Sequence, residues 1–212
     1  MLAIFDMDGT LVDSSITLSN AINYVRAKLG LSALDTQIIL EQINNPDCNL
    51  ARFFYEADEI TKKHEEWFQS YYSNNHDKEL ILFEGIEPML QNLQEKGIKI
   101  ALATNAYRVS TMEALKHLKI DKYFTDIICY DEVENAKPAP DMLLALLDRN
   151  SVNRAIFIGD SDRDKLAGKA ANIEFLHVAF GSKDSKYITK VEILEKKIVD
   201  FLYNINNLEK KV

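Results

Sequence analysis

Leu2-Ala3-Ile4-Phe5-Asp6-Met7-Asp8-Gly9-Thr10 is the stretch on which the fold turns. Leu2 to Phe5 are apolar without alternation, which predicts a short strand buried on both faces in the middle of a parallel sheet. The strand runs directly into two carboxylates one residue apart, Asp6 and Asp8. Aspartate is a poor strand former and costly to bury unpaired, so its placement at the end of a buried strand calls for a partner. Gly9 lets the chain turn sharply, and successive backbone N–H groups in such a turn form a nest that suits a phosphate. An ordinary Asp-Gly turn after a strand accounts for the same residues equally well.

Downstream, the periodicity changes. Asp13-Ser14-Ser15 is a helix N-cap cluster, and Leu18, Ala21, Ile22, Val25 and Leu29 follow at helical spacing up to Gly30. Three more helices are predicted: residues 36–43, ending at Asn44-Asn45-Pro46; a stripe of Leu50, Phe53, Phe54 and Ala57; and a stripe of Ile60, His64, Trp67, Phe68 and Tyr71, fading at 73–76. Residues 14–79 thus read as an all-helical unit whose apolar stripes face one another. From Leu80 strands and helices alternate. Strands are expected at 98–104, 126–130, 155–158 and 175–178, with helices after Gly85, over 111–118, from the Lys137-Pro138-Ala139-Pro140 loop to Leu147, and up to Ala171. Alternation of this kind marks an α/β, doubly wound parallel sheet. The expected architecture is a Rossmann-like core, residues 1–13 and 80–212, with an all-helical domain (14–79) inserted after the first strand. Val191, Leu194, Ile198, Phe201, Ile205 and Leu208 predict a last helix docked on the core.

Composition narrows the function. Over 212 residues, 47% hydrophobic and 27% charged content are those of a water-soluble globular chain. The formal net charge of −8 argues against nucleic acid or an acidic membrane as principal partner, but not against a phosphorylated substrate held by a local pocket or metal. Cys48 and Cys129 form no paired motif and read as buried free thiols. A strand starting at residue 2 leaves no room for a signal peptide, and no apolar run is long enough to span a bilayer, so a cytoplasmic location is expected. His64, His76, His117 and His177 lack metal-ligand spacing. Phe53, Phe54, Trp67, Phe68, Tyr71 and Tyr72 are expected in the core of the helical unit, Arg52 on a solvated face, and Asp162 exposed.

In an open parallel sheet, ligands bind at the carboxyl ends of the strands. Those ends carry Asp6 and Asp8, Thr104 and Asn105, and Asp160 with Asp164; Lys137 lies in the loop after a further strand. Several carboxylates in one crevice repel unless a hard cation joins them, and oxygen-only ligation suits Mg2+. A hydroxyl, an amide and a lysine remain to hold a phosphate beside it. This composition points to phosphoryl transfer.

Four motifs carry a resemblance to the haloacid dehalogenase superfamily. Asp6-Met7-Asp8-Gly9-Thr10-Leu11-Val12-Asp13-Ser14 resembles its first motif, Ala103-Thr104-Asn105 the second, Lys137-Pro138-Ala139-Pro140 the third, and Gly159-Asp160-Ser161-Asp162-Arg163-Asp164 the fourth. They stand in the family's order and span essentially the whole chain, and the helical insertion resembles the family's cap. The resemblance implies that Asp6 is the nucleophile, forming an aspartyl-phosphate, and that Asp8 is the general acid and then base. It implies Mg2+ held by the Asp6 carboxylate, the Asp8 main-chain carbonyl and Asp160, with Asp164 supporting the metal site or orienting Lys137. Gly9, Thr104, Asn105 and Lys137 would bind the phosphoryl group. The family's dehalogenases lack an aspartate at the position of Asp8, so dehalogenation is disfavoured. Where close relatives often read Ala-Gly after the fourth motif this chain has Ala171-Asn172, and Asn is the best non-glycine residue for a left-handed cap. The implied activity is that of a phosphatase acting on a small phosphorylated metabolite, similar to phosphoglycolate phosphatases. A phosphosugar mutase shares all four motifs, and a non-catalytic regulatory protein on the same fold is the remaining alternative. The oligomeric state is left open between monomer and homodimer.

Overall fold

The computed structural model describes residues 1–43, 48–152, 154–180, 182 and 184–204, except for the side chains of residues 76, 77 and 204. The expected turn at Asn44-Asn45-Pro46, the His76 side chain, and Ile205 and Leu208 in the last helical stripe lie outside the described residues. The described chain falls into two units, one of residues 1–13 and 82–212 and the other of residues 14–81.

The first unit is built on β1 (Leu2–Phe5), which is fully buried along its length. The chain then passes through the two-residue strand β2 (Val12–Asp13) and leaves this unit. It resumes at β3 (Ile81–Leu82), α5 (Ile86–Glu95), β4 (Lys99–Ala103), α6 (Arg108–His117), β5 (Asp126–Ile128), α7 (Asp141–Arg149), β6 (Ala155–Gly159), α8 (Asp162–Ala170), β7 (Glu174–His177) and α9 (Val191–Asn204); the helices α1 to α4 belong to the second unit. Five strands form a sheet in the order β5-β4-β1-β6-β7, and every pairing in it is parallel. The expected α/β doubly wound sheet is therefore observed, with β1 at its centre. After β5 the chain crosses to the other side of β1 to lay down β6, and such a reversal opens a crevice at the strands' carboxyl ends.

Alternate residues of the buried strands serve opposite faces. Leu2, Ile4, Ala101, Ala103 and Phe157 join Met142, Leu143, Leu146 and Ala167 from α7 and α8 in one apolar layer. The opposite face carries Ala3, Phe5, Ile100, Leu102, Ile156 and Ile158, all buried, with α5 packed on β4 and α9 on β6. Helices α5 to α8 end alike. Gly97, Lys119, Ser151 and Asn172 each adopt a left-handed φ, of 71, 60, 51 and 55°. In each case that residue's N–H and the next one close onto carbonyls of the last helical turn, as Asn172 N–H does on Lys169 O and Ile173 N–H on Gly168 O. β5 is shorter than expected because the Glu132 carboxylate accepts the Cys129 N–H at 2.9 Å and turns residues 130–132 into a 3₁₀ helix.

The second unit holds α1 (Ser15–Lys28), α2 (Thr36–Ile43), α3 (Leu50–Tyr55) and α4 (Lys62–Glu79). Ile22, Val25, Ile39, Phe54 and Tyr55 form its core, with Leu18, Trp67 and Phe68 against them. The buried Arg26 guanidinium donates to Ser32 O at 2.7 Å and Phe54 O at 2.5 Å, tying α1 to the loop after it and to α3. Two details correct the sequence reading. α4 does not fade at 73–76: the Asn74 and Asn75 amides donate back to Ser70 O and Tyr71 O, and Tyr71 Oη donates to Glu79, so polar residues sustain the last turns. Phe53 is 38% exposed rather than part of the core. Cys129 is buried and Cys48 partly so, both as free thiols. Among the described residues, no helix is long and apolar enough to cross a membrane.

Candidate active site

The site grows from the carboxyl ends of β1, β4 and β6. Asp6 is the first residue past β1, and its N–H continues the ladder onto Ile158 O at 2.9 Å. Its carboxylate is therefore delivered by the most deeply buried strand of the sheet. Lys137 comes from the long loop before α7, and Asn105 holds that loop in place. The Asn105 amide donates to Lys137 O at 2.9 Å and accepts the Lys137 N–H at 3.1 Å. So held, the Lys137 ammonium donates to Asp6 Oδ1 at 2.6 Å, Asp164 Oδ1 at 2.6 Å and Ala103 O at 2.9 Å. All three of its N–H donors are thereby used, above the Phe157 ring.

Asp164 is fixed by the start of α8. The Ser161 hydroxyl accepts the Asp164 N–H at 3.3 Å and donates to Asp164 Oδ2 at 2.5 Å, and Ser161 N–H reaches the same oxygen at 3.1 Å. This is a capping box with aspartate in place of glutamate. Both Asp164 oxygens are thus engaged, one by the helix cap and the other by Lys137. Glycine is required on either side of the crevice. At Gly159 a Cβ would lie 2.5 Å from Asp164 Cβ, and at Gly9 (φ 78°) one would lie 2.1 Å from Asp160 Oδ2.

One ammonium faces three carboxylates. Oxygens of Asp6, Asp160 and Asp164 lie within 4.8 Å of one another. Burial pushes the Asp6 carboxyl up to about 8, against the pull of Lys137 and with the repulsion of Asp164 and Asp160. Burial, and then the charge of Asp164, raise Asp160 to about 6. For Lys137 burial works against the ammonium, yet Asp6 and Asp164 outweigh it and its pKa lies above the ordinary value. A crevice of hard oxygen donors with an unbalanced negative charge fits a divalent cation. Both Asp164 oxygens and one of Asp6 are engaged, so the carboxylate of Asp160 and the second oxygen of Asp6 are the ones in this cluster that could hold it.

The remaining residues singled out in the sequence divide. Thr104 is buried at the end of β4, its N–H on Ile128 O and its hydroxyl accepting from Ala106 N–H at 3.1 Å. Asn105 turns its amide to the Lys137 main chain rather than into the crevice. Asp8 is half-buried and near enough to Asp160 to help raise that group's pKa. The amide nest expected at Gly9 is not what the turn presents. Gly9 N–H donates to Val12 O at 2.8 Å, and the N–H groups of Thr10, Leu11 and Val12 converge on Met7 O. The part of Gly9 is to make room for Asp160. Asp162 and Arg52 are exposed, as expected. Three contributors escaped the sequence reading. Ser161 was legible, since Ser-x-x-Asp before a helix is a capping signature; the Ala103 carbonyl and His177, whose Nε2 lies 2.7 Å from Asp160 O, carried no such signal.

The haloacid dehalogenase-like hydrolase family model matches residues 3–178. The chain belongs to that family. The resemblance carried by the four motifs is borne out, and with it the reading of the chain as a hydrolase. A phosphoglycolate phosphatase of Pseudomonas fluorescens is 29% identical over 199 residues, covering 89% of this chain and 73% of that one. The pyrophosphatase PpaX of Halalkalibacterium halodurans is 27% identical over 194 residues, covering 89% and 88%. Among solved structures, a haloacid dehalogenase superfamily hydrolase of subfamily IA from Geobacter sulfurreducens superposes with a TM-score of 0.72 at 22% identity, covering 95% of each chain. At that identity the likeness speaks for the fold.

Proposed function

We propose that this haloacid dehalogenase-like hydrolase is a magnesium-dependent phosphatase acting on a small phosphorylated metabolite in the cytoplasm, similar to phosphoglycolate phosphatases. The observation that carries the reading is the buried Lys137 ammonium, which ties Asp6 to Asp164 at 2.6 Å each at the end of the central strand. That arrangement holds a carboxylate in a fixed position beside an oxygen-lined cation site. Asp6 is the nucleophile. Its oxygen bonds to phosphorus as the bond to the leaving oxygen breaks, and Asp8 gives that oxygen a proton. Water then attacks the aspartyl-phosphate, Asp8 takes its proton, and inorganic phosphate leaves with the Asp6 carboxylate restored. The Asp6 carboxylate, the Asp8 main-chain carbonyl and Asp160 would hold Mg2+, which when bound would supply charge neutralisation for the phosphoryl oxygens. Lys137, kept charged by its partners, offsets charge on the same group, with Thr104 beside it, while Asn105 acts by holding the Lys137 loop. In this reading the helical unit of residues 14–81 is the cap that selects the substrate.

The test is turnover of a panel of phosphorylated metabolites, 2-phosphoglycolate and sugar phosphates included, by purified protein with magnesium. Both free phosphate and isomerised product are followed. Release of phosphate that stops with a chelator and is absent in Asp6→Asn supports the reading. An isomerised sugar phosphate without net phosphate release identifies a mutase instead. Full turnover in metal-free buffer overturns the cation site.

A further inference from the structure

We propose that His177 is a positioning residue for the cation site, acting through the main chain of Asp160. The inference rests on the reading of Asp160 as a cation ligand and extends it to a residue in no motif. His177 closes β7, paired in register with Gly159 at the end of β6. The last ladder bond between these strands runs from Val178 N–H to Gly159 O at 3.0 Å. One residue on, where the ladder has ended, the carbonyl of Asp160 is taken up by a side chain: His177 Nε2 stands 2.7 Å from it. A carbonyl only accepts, so Nε2 carries the hydrogen and the tautomer is set by this contact.

The imidazole is held where it is. Tyr187 lies over it with ring centroids 4.5 Å apart, and Phe175 meets it edge-on at 5.7 Å. Tyr187 is in turn anchored by the chain beside it, since Ile188 N–H donates to His177 O and Ala179 N–H to Ile188 O, both at 3.0 Å. Packing thus fixes the ring, the ring fixes the Asp160 carbonyl, and the peptide that follows Asp160 cannot rotate freely. Rotation there would swing the Asp160 carboxylate, which has little room: it lies so close over Gly9 that a single added carbon would collide with it. Groups that orient a ligating carboxylate from behind change metal affinity by about 10- to 100-fold when removed.

The experiment measures Mg2+ binding to the folded, substrate-free protein by calorimetry, alongside thermal unfolding of the same samples. His177→Phe keeps a ring between Phe175 and Tyr187 but removes the donor. His177→Gln restores an amide N–H near the position of Nε2. We expect the Phe protein to bind Mg2+ about tenfold more weakly at nearly unchanged Tm, and the Gln protein to stay within about threefold of wild type. Wild-type affinity in the Phe protein overturns the inference. So does equal weakening in both variants, which would assign the effect to ring packing. Should His177→Phe fail to fold, His177→Met is compared with His177→Gln by the same criteria. If wild-type protein itself binds no Mg2+, the cation site fails and the inference with it. If wild type binds and the Phe protein matches it, the role of His177 alone fails.

Discussion

At the scale of single residues, the site is a contest between burial and charge in which Lys137 is the pivot. Among the described residues it is the one cation paired with both Asp6 and Asp164, and each of those pairs is almost fully removed from solvent. Removing one partner of a buried pair leaves an uncompensated charge, which costs about 3–5 kcal/mol. Lys137→Met should lose about that much in urea unfolding without metal, and added Mg2+ should recover part of the loss. The pH dependence follows from Asp6. Its folded-state pKa of about 8 lies above the ordinary 3.8, so between those values the folded protein holds a proton that the unfolded chain has released. Its contribution to stability is therefore present at the acid end and lost as pH rises toward 8. Metal-free wild type should lose urea resistance over that interval more steeply than Asp6→Asn; equal slopes would mean that Asp6 is ionised throughout. In the proposed mechanism Asp8 is the general acid and then the base. Asp8→Ala should slow turnover by about a hundred- to ten-thousandfold, because both half-reactions lose their proton shuttle. With an activated substrate, whose leaving group needs little protonation, formation should suffer less than hydrolysis. The aspartyl-phosphate on Asp6 should then accumulate enough for intact mass spectrometry.

At the scale of elements, the site depends on where strands stop and helices start. β1 and β6 end side by side. Asp6 and Asp160 follow them directly, and the capping box of α8 sets Asp164 within one turn of Asp160. The other ends of the core helices reveal a reserve of stability. Lys119 and Ser151 occupy left-handed caps that favour glycine, at φ 60 and 51°, whereas α5 already uses Gly97. A non-glycine residue in that region carries a penalty of about 1–2 kcal/mol, reduced for Asn because its side chain tolerates the conformation. Lys119→Gly and Ser151→Gly should each raise stability by about 1 kcal/mol in urea unfolding, and Asn172→Gly by less. A loss at Lys119 or Ser151 would show that its side chain contributes more than its backbone costs.

At the scale of the whole molecule, each unit carries its own core: one around Leu2, Ile4 and Phe157, the other around Ile22, Ile39 and Phe54. The chain leaves the first unit after Asp13 and rejoins it at Leu82, and just inside those points Phe83 N–H donates to Leu11 O at 3.2 Å. The two ends of the excursion are therefore close neighbours, and a short Gly-Ser link can replace residues 14–81 with little loop-closure cost. The joined core should unfold cooperatively and still bind Mg2+, while its preferences among phosphorylated substrates collapse toward a common low rate. An unchanged substrate ranking would remove selectivity from the helical unit.

The sequence by itself determined the α/β core, the helical insertion and the acidic cluster, because each leaves a local mark. Strands buried on both faces read as unbroken apolar runs, helices as stripes of period 3.6, and strand ends as sudden polar residues. What only the tertiary structure decided is how the polar groups share one another. Asn105 serves the Lys137 main chain, the Gly9 amide is absorbed within its own turn, and His177 reaches Asp160 from another strand. These partners lie far apart in the chain or depend on the direction of a single N–H. Nothing in residue spacing encodes them; parallel register and close packing at the sheet's carboxyl edge do.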